Sequence, residues 1–412
     1  MRPRTSFYPG WMVIVALFLA GMMVYGAGLY GFTLMVPPLS AEFGWSRAAT
    51  GGLVSVFWLA APLTPLGGAA VARFGAAKLV CAGILLEAVC LAAVGIADSL
   101  TVMYVLRALM GLGKIMMMAG VTAQASVWFG RRFGLAIAVC YAGWHFGGLT
   151  LAPLAQYLID SAGWRHACLI LAGLIVIVAL PPMLLFGSRR PAGALPPEEA
   201  IPTSEAFGPD VASPSAFRSG AFWLVVAMTV LCSFTYGGLL THEVALIEDA
   251  GISPAMAAIG LSVTAAMALA GALTVGHLSD RVGFRPVLAL EIGLFATAVG
   301  LLFWLPANGS TALMLVAAAA FGLAIGGFDT CIVAHLRRAF GRSQFNHLFG
   351  IWYFFYLATL FLAPIAAGRM FDRSGDYRTA LLAMLGGLFV AAFLLMFAGR
   401  PERAESPSTT AG

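Results

Sequence analysis

The stretch Gly276-His277-Leu278-Ser279-Asp280-Arg281-Val282-Gly283-Phe284-Arg285 has a near copy 208 residues upstream, Gly68-Ala69-Ala70-Val71-Ala72-Arg73-Phe74-Gly75. Each follows a long apolar run and precedes another. A short, basic, glycine-bounded stretch in that setting reads as a hairpin between two membrane helices. The copies differ in charge: Ala72 stands where the second copy has Asp280, and Ala76 and Ala77 precede Lys78 where the second copy has Arg285.

Composition points the same way. Hydrophobic residues make up 61% of the 412 positions and charged residues only 10%, against about 25% charged in an ordinary soluble domain. The mean hydropathy is +0.92. Roughly 20 apolar residues cross a hydrocarbon core about 30 Å thick, and runs of that length recur along almost the whole chain. We read twelve spans, at 10–37, 46–72, 79–97, 101–126, 133–158, 165–187, 219–247, 254–277, 284–306, 310–336, 344–368 and 378–398. The fold class expected is therefore an all-α membrane protein.

The first span has no small-residue cleavage site and runs on through Tyr25 and Tyr30, so it reads as a retained helix. Lys and Arg crowd alternate loops: Arg2, Arg4, Arg73, Lys78, Arg131, Arg132, Arg189, Arg190, Arg218, Arg281, Arg285, Arg337, Arg338, Arg342, Arg400 and Arg403 fall on one side. The other side holds Arg47, Arg165, Arg369, Arg373 and Arg378. The positive-inside rule then puts both termini in the cytoplasm, with the plasma (inner) membrane as the expected location. The net charge of +5 is an orientation signal and implies no nucleic-acid partner. Cys81, Cys90, Cys140, Cys168, Cys232 and Cys331 lie singly within apolar spans, without metal-ligand spacing, and read as packing residues. No cofactor or metal site is expected.

Residues 188–218 break the membrane pattern with Arg189-Arg190-Pro191, Pro196-Pro197-Glu198-Glu199 and further prolines. Such a segment reads as a flexible cytoplasmic linker. It divides an N-terminal six-helix bundle (1–187) from a C-terminal one (219–400), with a disordered cytoplasmic tail at 401–412. The halves match locally: Phe43-Gly44-Trp45-Ser46 before the second span parallels Ala250-Gly251-Ile252-Ser253 before the eighth, each Ser a candidate helix N-cap. With the two hairpins, both ends of one helix are matched.

The pattern Gly-x-x-x-Asp-Arg-x-Gly-x-Arg, repeated in this way, resembles the loop between the second and third helices of major facilitator superfamily transporters, which recurs between the eighth and ninth. The resemblance spans the chain and implies two six-helix bundles with a substrate site between them at mid-membrane. The gating motif would comprise Gly68, Arg73 and Gly75 with Gly276, Asp280, Arg281, Gly283 and Arg285. In that superfamily the acid helps latch the cytoplasmic ends in the outward-open state, so Ala72 implies a weaker latch in the first half. Tyr8-Pro9-Gly10-Trp11, Arg107-x-x-x-Gly111-x-Gly113, Trp128-Phe129-Gly130-Arg131-Arg132-Phe133-Gly134-Leu135-Ala136 and Gly143 to Pro153 are similar to the oxalate/formate antiporter and monocarboxylate transporter branch. Two departures stand out: Ile252 to Val275 lacks the substrate-binding Arg common in that branch, and the first helix lacks the Lys of animal monocarboxylate transporters. Anion recognition would move to the fourth helix.

Ionisable groups inside spans are expensive and are by default functional candidates. Arg107 and Lys114 are seven residues apart and return to nearly one helical face. Arg107 sits at the family's motif position, implying coupling or structural hydrogen bonding; a buried Arg satisfied by backbone carbonyls is the equal alternative. Lys114 lies too deep to snorkel and needs water, an acid or an anionic substrate. Asp329 in the tenth helix is its expected partner and a candidate proton carrier, or else a structural ion pair. Glu87 and Glu291 occur at similar depth in the third and ninth helices, which the resemblance places away from the central cavity, and read as structural. His145 and His242 (beside Glu243) are candidate proton relays, although a lone intramembrane His is more often a bonded packing residue. Tyr25, Tyr30, Tyr236, Trp352, Tyr353 and Tyr356 are candidate cavity walls or packing.

The expected substrate-binding set is Lys114, Arg107, Tyr25, Tyr30, His145, Tyr236, His242, Asp329 and Tyr353, with Asp329, His242 and Arg107 as coupling candidates. The expected function is secondary active transport of a small organic anion, a monocarboxylate, with proton symport preferred and exchange open. The rivals are proton-coupled transport of a neutral or amphipathic solute and a non-transporting membrane sensor. No Walker loop or soluble module suggests an ATP-driven pump or an enzyme. Short loops without a long coiled coil make a monomer the default.

Overall fold

The long runs are apolar on all sides rather than along one stripe, as suits helices surrounded by lipid and by one another. The computed structural model describes residues 8–64, 66–129, 133–187 and 219–397. The expected linker 188–218 and tail 401–412 lie outside the described residues, as do the surroundings of Gly68 and Gly276 and the side chains of Asp280 and Asp329.

Among the described residues the order is α1 (Gly10–Tyr25), a π-helical turn (Gly26–Gly31), α2 (Val36–Phe43), α3 (Arg47–Ser55), 3₁₀ turns at Val56–Trp58 and Ala61–Leu63, and α4 (Leu66–Phe74). There follow α5 (Ala76–Val94), α6 (Leu100–Trp128), α7 (Phe133–Phe186), α8 (Gly220–Asp249), α9 (Pro254–Val282), α10 (Phe284–Asn308), α11 (Thr311–Ser374) and α12 (Arg378–Phe397).

Ten helical stretches among the described residues are long and apolar enough to cross a membrane. Two differences reconcile them with the twelve spans read from the sequence. The stretch Leu135–Phe186 bends at residue 163, where φ is 80°, and so covers the fifth and sixth spans. The second span is not one helix: α3 ends at Ser55, two 3₁₀ turns intervene, and α4 begins at Leu66. Pro62 lies inside that interval; it removes a backbone donor and clashes with the preceding turn. The first span is also irregular, because the glycine-rich Gly26-Ala27-Gly28-Leu29-Tyr30-Gly31 winds as a π-turn, a feature frequent at functional sites.

Close seams hold the helices. A Cβ added at Gly26 would lie 2.8 Å from the Gly147 carbonyl oxygen, where α1 leads onto α7, and one at Gly271 of α9 would lie 2.5 Å from that of Leu323 in α11. Without a hydrophobic drive between helices, such close approach supplies the dispersion that packs them. Helices α1 and α5–α7 pack on one another, and α8–α12 do likewise; α7 meets α9, and α3 meets α11.

Both hairpins take the same local form. Arg73 and Arg281 lie in the last turns of α4 and α9, where a cation favours the helix dipole. Gly75 (φ 85°) and Gly283 (φ 91°) then turn the chain in a region that side chains rarely enter. Arg285 goes further and donates to the Leu395 and Met396 carbonyls at 3.0 and 2.7 Å, tying the second hairpin to α12.

Candidate functional site

The site begins with α6. Arg107 and Lys114 are both buried and both face Phe57, at 4.9 and 4.7 Å from its ring. Arg107 donates from Nε to the Leu53 carbonyl (3.0 Å) and from Nη1 to the Gly28 carbonyl (2.7 Å), and its guanidinium lies 3.8 Å over Phe32. It ties α6 to α3 and to the π-turn, matching the backbone-satisfied alternative, while Nη2 is left without a hydrogen-bond partner.

Lys114 is held differently. Its ammonium lies 3.7 Å over the Trp58 ring, in the first 3₁₀ turn of the broken second span. Among the described residues it has no hydrogen-bond acceptor and no carboxylate within ion-pair distance.

Glu87, read from the sequence as a structural or interhelical acid, joins this region. It is fully buried on α5, against Gly28 of the π-turn, the residue whose carbonyl Arg107 also holds. Neither of its carboxyl oxygens accepts a hydrogen bond among the described residues. A carboxyl group and two basic side chains therefore share a low-dielectric region around Gly28 and Phe57. Glu291, its counterpart on α10, is equally buried and also lacks hydrogen bonds; it packs against Gly327.

The aromatic candidates divide. Tyr25 stacks on Trp144 (4.3 Å, 6°), with its hydroxyl 3.8 Å from the Met118 sulfur. The Tyr30 hydroxyl meets His145 Nδ1 at 3.1 Å, joining α7 to the π-turn. Across the interface, Tyr353 stacks with Phe349 (5.4 Å, 14°) and Tyr356 (5.9 Å, 28°), and Tyr236 lies 6.5 Å from Tyr356. Trp352 donates to Thr229 at 2.8 Å and is a packing residue. Between residues 58–64 and the Phe349–Phe361 face of α11 lies a cleft of about 520 Å³.

His242 is not part of that cleft. It is buried with both ring nitrogens engaged, Nε2 to the Pro364 carbonyl (2.9 Å) and Nδ1 to the Tyr377 hydroxyl (3.1 Å). It belongs to the end of the molecule where the halves touch. There Arg47 pairs with Asp249 (3.2 Å), and the Asp372 carboxylate accepts from the backbone N–H groups of Arg47 (2.9 Å) and Ala48 (3.0 Å). Beside His242, Glu243 is buried and accepts from Thr264 at 2.7 Å, with its second oxygen unpartnered. Its signal in the sequence is a carboxylate inside an apolar span. Asp329, the expected partner of Lys114, lies in α11 with its side chain outside the described residues.

Known proteins share this framework. The model of the Major Facilitator Superfamily matches residues 16–245 and again 239–412. Human monocarboxylate transporter 11 is 28% identical over 414 residues, covering 96% of this chain and 84% of that protein. Rat (Rattus norvegicus) monocarboxylate transporter 13 is 26% identical over 384 residues, covering 93% and 87%. In structure the chain is similar to a bacterial homolog of the human lysosomal transporter Spinster in an inward-facing, occupied conformation, with a TM-score of 0.77 at 16% identity over 97% of this chain and 98% of that one. It is also similar to the nucleoside transporter NupG, with a TM-score of 0.73 at 15% identity over 95% and 100%. Apolar crossings, paired hairpins and a family match that runs the length of the helical region agree: the chain belongs to the Major Facilitator Superfamily and is a multi-pass membrane transporter, not an enzyme.

Proposed function

We propose that this transporter moves a small organic anion, a monocarboxylate, by rocking two bundles (1–187 and 219–400, joined by the linker 188–218) about a central site. Both termini face the cytoplasm in this reading, and the hairpins mark the cytoplasmic side. The observation that carries it is Lys114: a buried ammonium, resting on aromatic rings, with no carboxylate within ion-pair distance among the described residues. A buried cation held by ring quadrupoles alone retains demand for an anion. The likeness to monocarboxylate transporters 11 and 13 supports the same class.

Proton symport follows from charge balance. With Glu87 ionised, the carboxylate competes with a substrate for Lys114; with Glu87 protonated, Lys114 is free to attract one. A proton and a monoanion therefore favour each other's binding, the reciprocity that coupled transport requires.

The test is Lys114→Gln in proteoliposomes. Saturable carboxylate uptake should fall to the level of empty liposomes, while the purified variant keeps its elution profile and helical circular dichroism. Wild-type affinity and rate in that variant would remove Lys114 from the site.

A further inference from the structure

A groove of about 550 Å³ runs between α10 and α12, far from Lys114 and its neighbours in the sequence. It starts at the hairpin end, where Arg285 and Met396 line it, and reaches Ala296 on α10 and Leu385 on α12. From residue 285 to 296 an α-helix rises about 16 Å, close to half of a hydrocarbon core about 30 Å thick. Ala289, Gly293 and Ala296 recur at i, i+4 and i+7 and so put small residues on one face of α10. Between membrane helices small residues ordinarily let backbones touch, as they do at Gly26 and Gly271. At Gly293 the opposite holds: an added Cβ would meet nothing within 4 Å. The groove is therefore open space rather than a seam, and its apolar lining lacks dispersion partners unless something apolar lies in it. Leu388 in its lining is buried while Phe389 and Met396 are exposed, so it opens on the outer surface of the bundle, where a membrane supplies lipid.

Arg285 closes the hairpin end of this groove. Its Nη2 donates to the Leu395 and Met396 carbonyls, while its Nε and Nη1 make no hydrogen bond among the described residues. Nor does a carboxylate among them lie within ion-pair distance of it. Arginine presents its N–H donors as a planar fork that fits phosphate oxygens. The start of α10, which Gly283 leaves without a side-chain cap, adds the positive end of a helix dipole. We propose that an anionic phospholipid of the phosphatidylglycerol type binds here, with its phosphate on Arg285 and one acyl chain along the groove. A choline or ethanolamine head would instead bring its ammonium toward Arg285 and the nearby Arg281, like charges that repel it. The first half has Ala77 at the position equivalent to Arg285, so the site belongs to the second half alone. A lipid seated in this way bridges α12 and the α9–α10 hairpin, whatever solute is carried.

Photolabelling of the full-length protein tests this, in phosphatidylcholine nanodiscs doped with a phosphatidylglycerol that carries a diazirine on its acyl chain. The label should concentrate in peptides covering 285–296 and 385–396. Unlabelled phosphatidylglycerol should displace it at a concentration at least about tenfold below that of phosphatidylethanolamine, as charge-assisted hydrogen bonds to a phosphate allow. Arg285→Gln should bring that ratio close to one. Gly293→Leu, which fills the groove at a point where no neighbour stands in the way, should remove the label from 385–396 while the purified variant keeps its elution profile. Equal displacement by the two lipids, or label spread evenly over the lipid-facing helices, would overturn the proposal. So would a cross-link from α12 to a second copy of the chain in place of lipid, which would assign the groove to a dimer. The competition with wild-type protein decides between these outcomes even if neither variant folds.

Discussion

Lys114 has a measurable imbalance around it. A Lys at the centre of a membrane helix costs about 2.5–3.5 kcal/mol on insertion scales, and a desolvated cation–π contact returns about 2 kcal/mol. Two rings therefore offset much of the penalty without removing the attraction for an anion. Arg107 is the contrast, since carbonyls from two neighbouring segments occupy it. The pair looked alike in the sequence, one helical face and two buried cations; only their partners separate a carbonyl-bound Arg from a Lys resting on rings. Glu87 was legible as a buried acid but not as their neighbour, because its approach to Gly28 depends on the π-turn. If Glu87 is the proton carrier, Glu87→Gln should still exchange carboxylate across the membrane. It should no longer accumulate it when an inward proton gradient is imposed, and its exchange rate should lose the pH dependence of the wild type. Gradient-driven accumulation in that variant would move the coupling role elsewhere, with Glu243 the next candidate.

At the scale of elements, the contact between α3 and α11 decides how one end of the molecule is shut. Ser46 caps α3 from within, accepting from Ala49 N–H at 3.2 Å, as its position before the second span implied. Asp372 then accepts the first two N–H groups from across the interface, and charge-assisted bonds at a helix N-terminus are the stronger kind. Gly368 lets α11 come this close, since a Cβ there would lie 2.6 Å from Ala48 Cα. The Arg47–Asp249 pair adds less: the side chains are 16% and 40% exposed, and exposed pairs contribute about 0–1 kcal/mol. Asp372→Ala should therefore loosen this end more than Asp249→Ala. Loss of a cap worth about 1 kcal/mol shifts an open–closed ratio about fivefold, which labelling of a cysteine placed near residue 47 would register. Equal labelling of the two variants would assign closure to helix packing alone. The cap across the interface was not legible, because Asp372 and Arg47 are 325 residues apart and neither carries a motif. Nor was the break at 56–64, because uniform apolarity concealed that the span is two short helices.

Across the whole molecule, the two hairpins share a turn geometry but not a charge set. Arg285 is anchored on α12, while the first hairpin has Ala77 at the equivalent position and exposed Ala72 in place of an acid. If an acid at this position latches the hairpin end, Ala72→Asp should raise the fraction closed there, read as reduced labelling of a cysteine in that vestibule; unchanged labelling would leave the asymmetry without a role in gating. The chain's sequence alone determined the membrane class, the internal repeat, the hairpins and the family, because run length, turn chemistry and charge placement are local properties that survive without coordinates. The tertiary structure alone decided that Lys114 faces Trp58 rather than an acid, that Glu87 joins the cations, that His242 belongs to the closed end, and that a large apolar cleft adjoins the cation. Each of these depends on the register between helices far apart in sequence, set by glycine seams, a π-turn and a proline break, and no local pattern encodes that register.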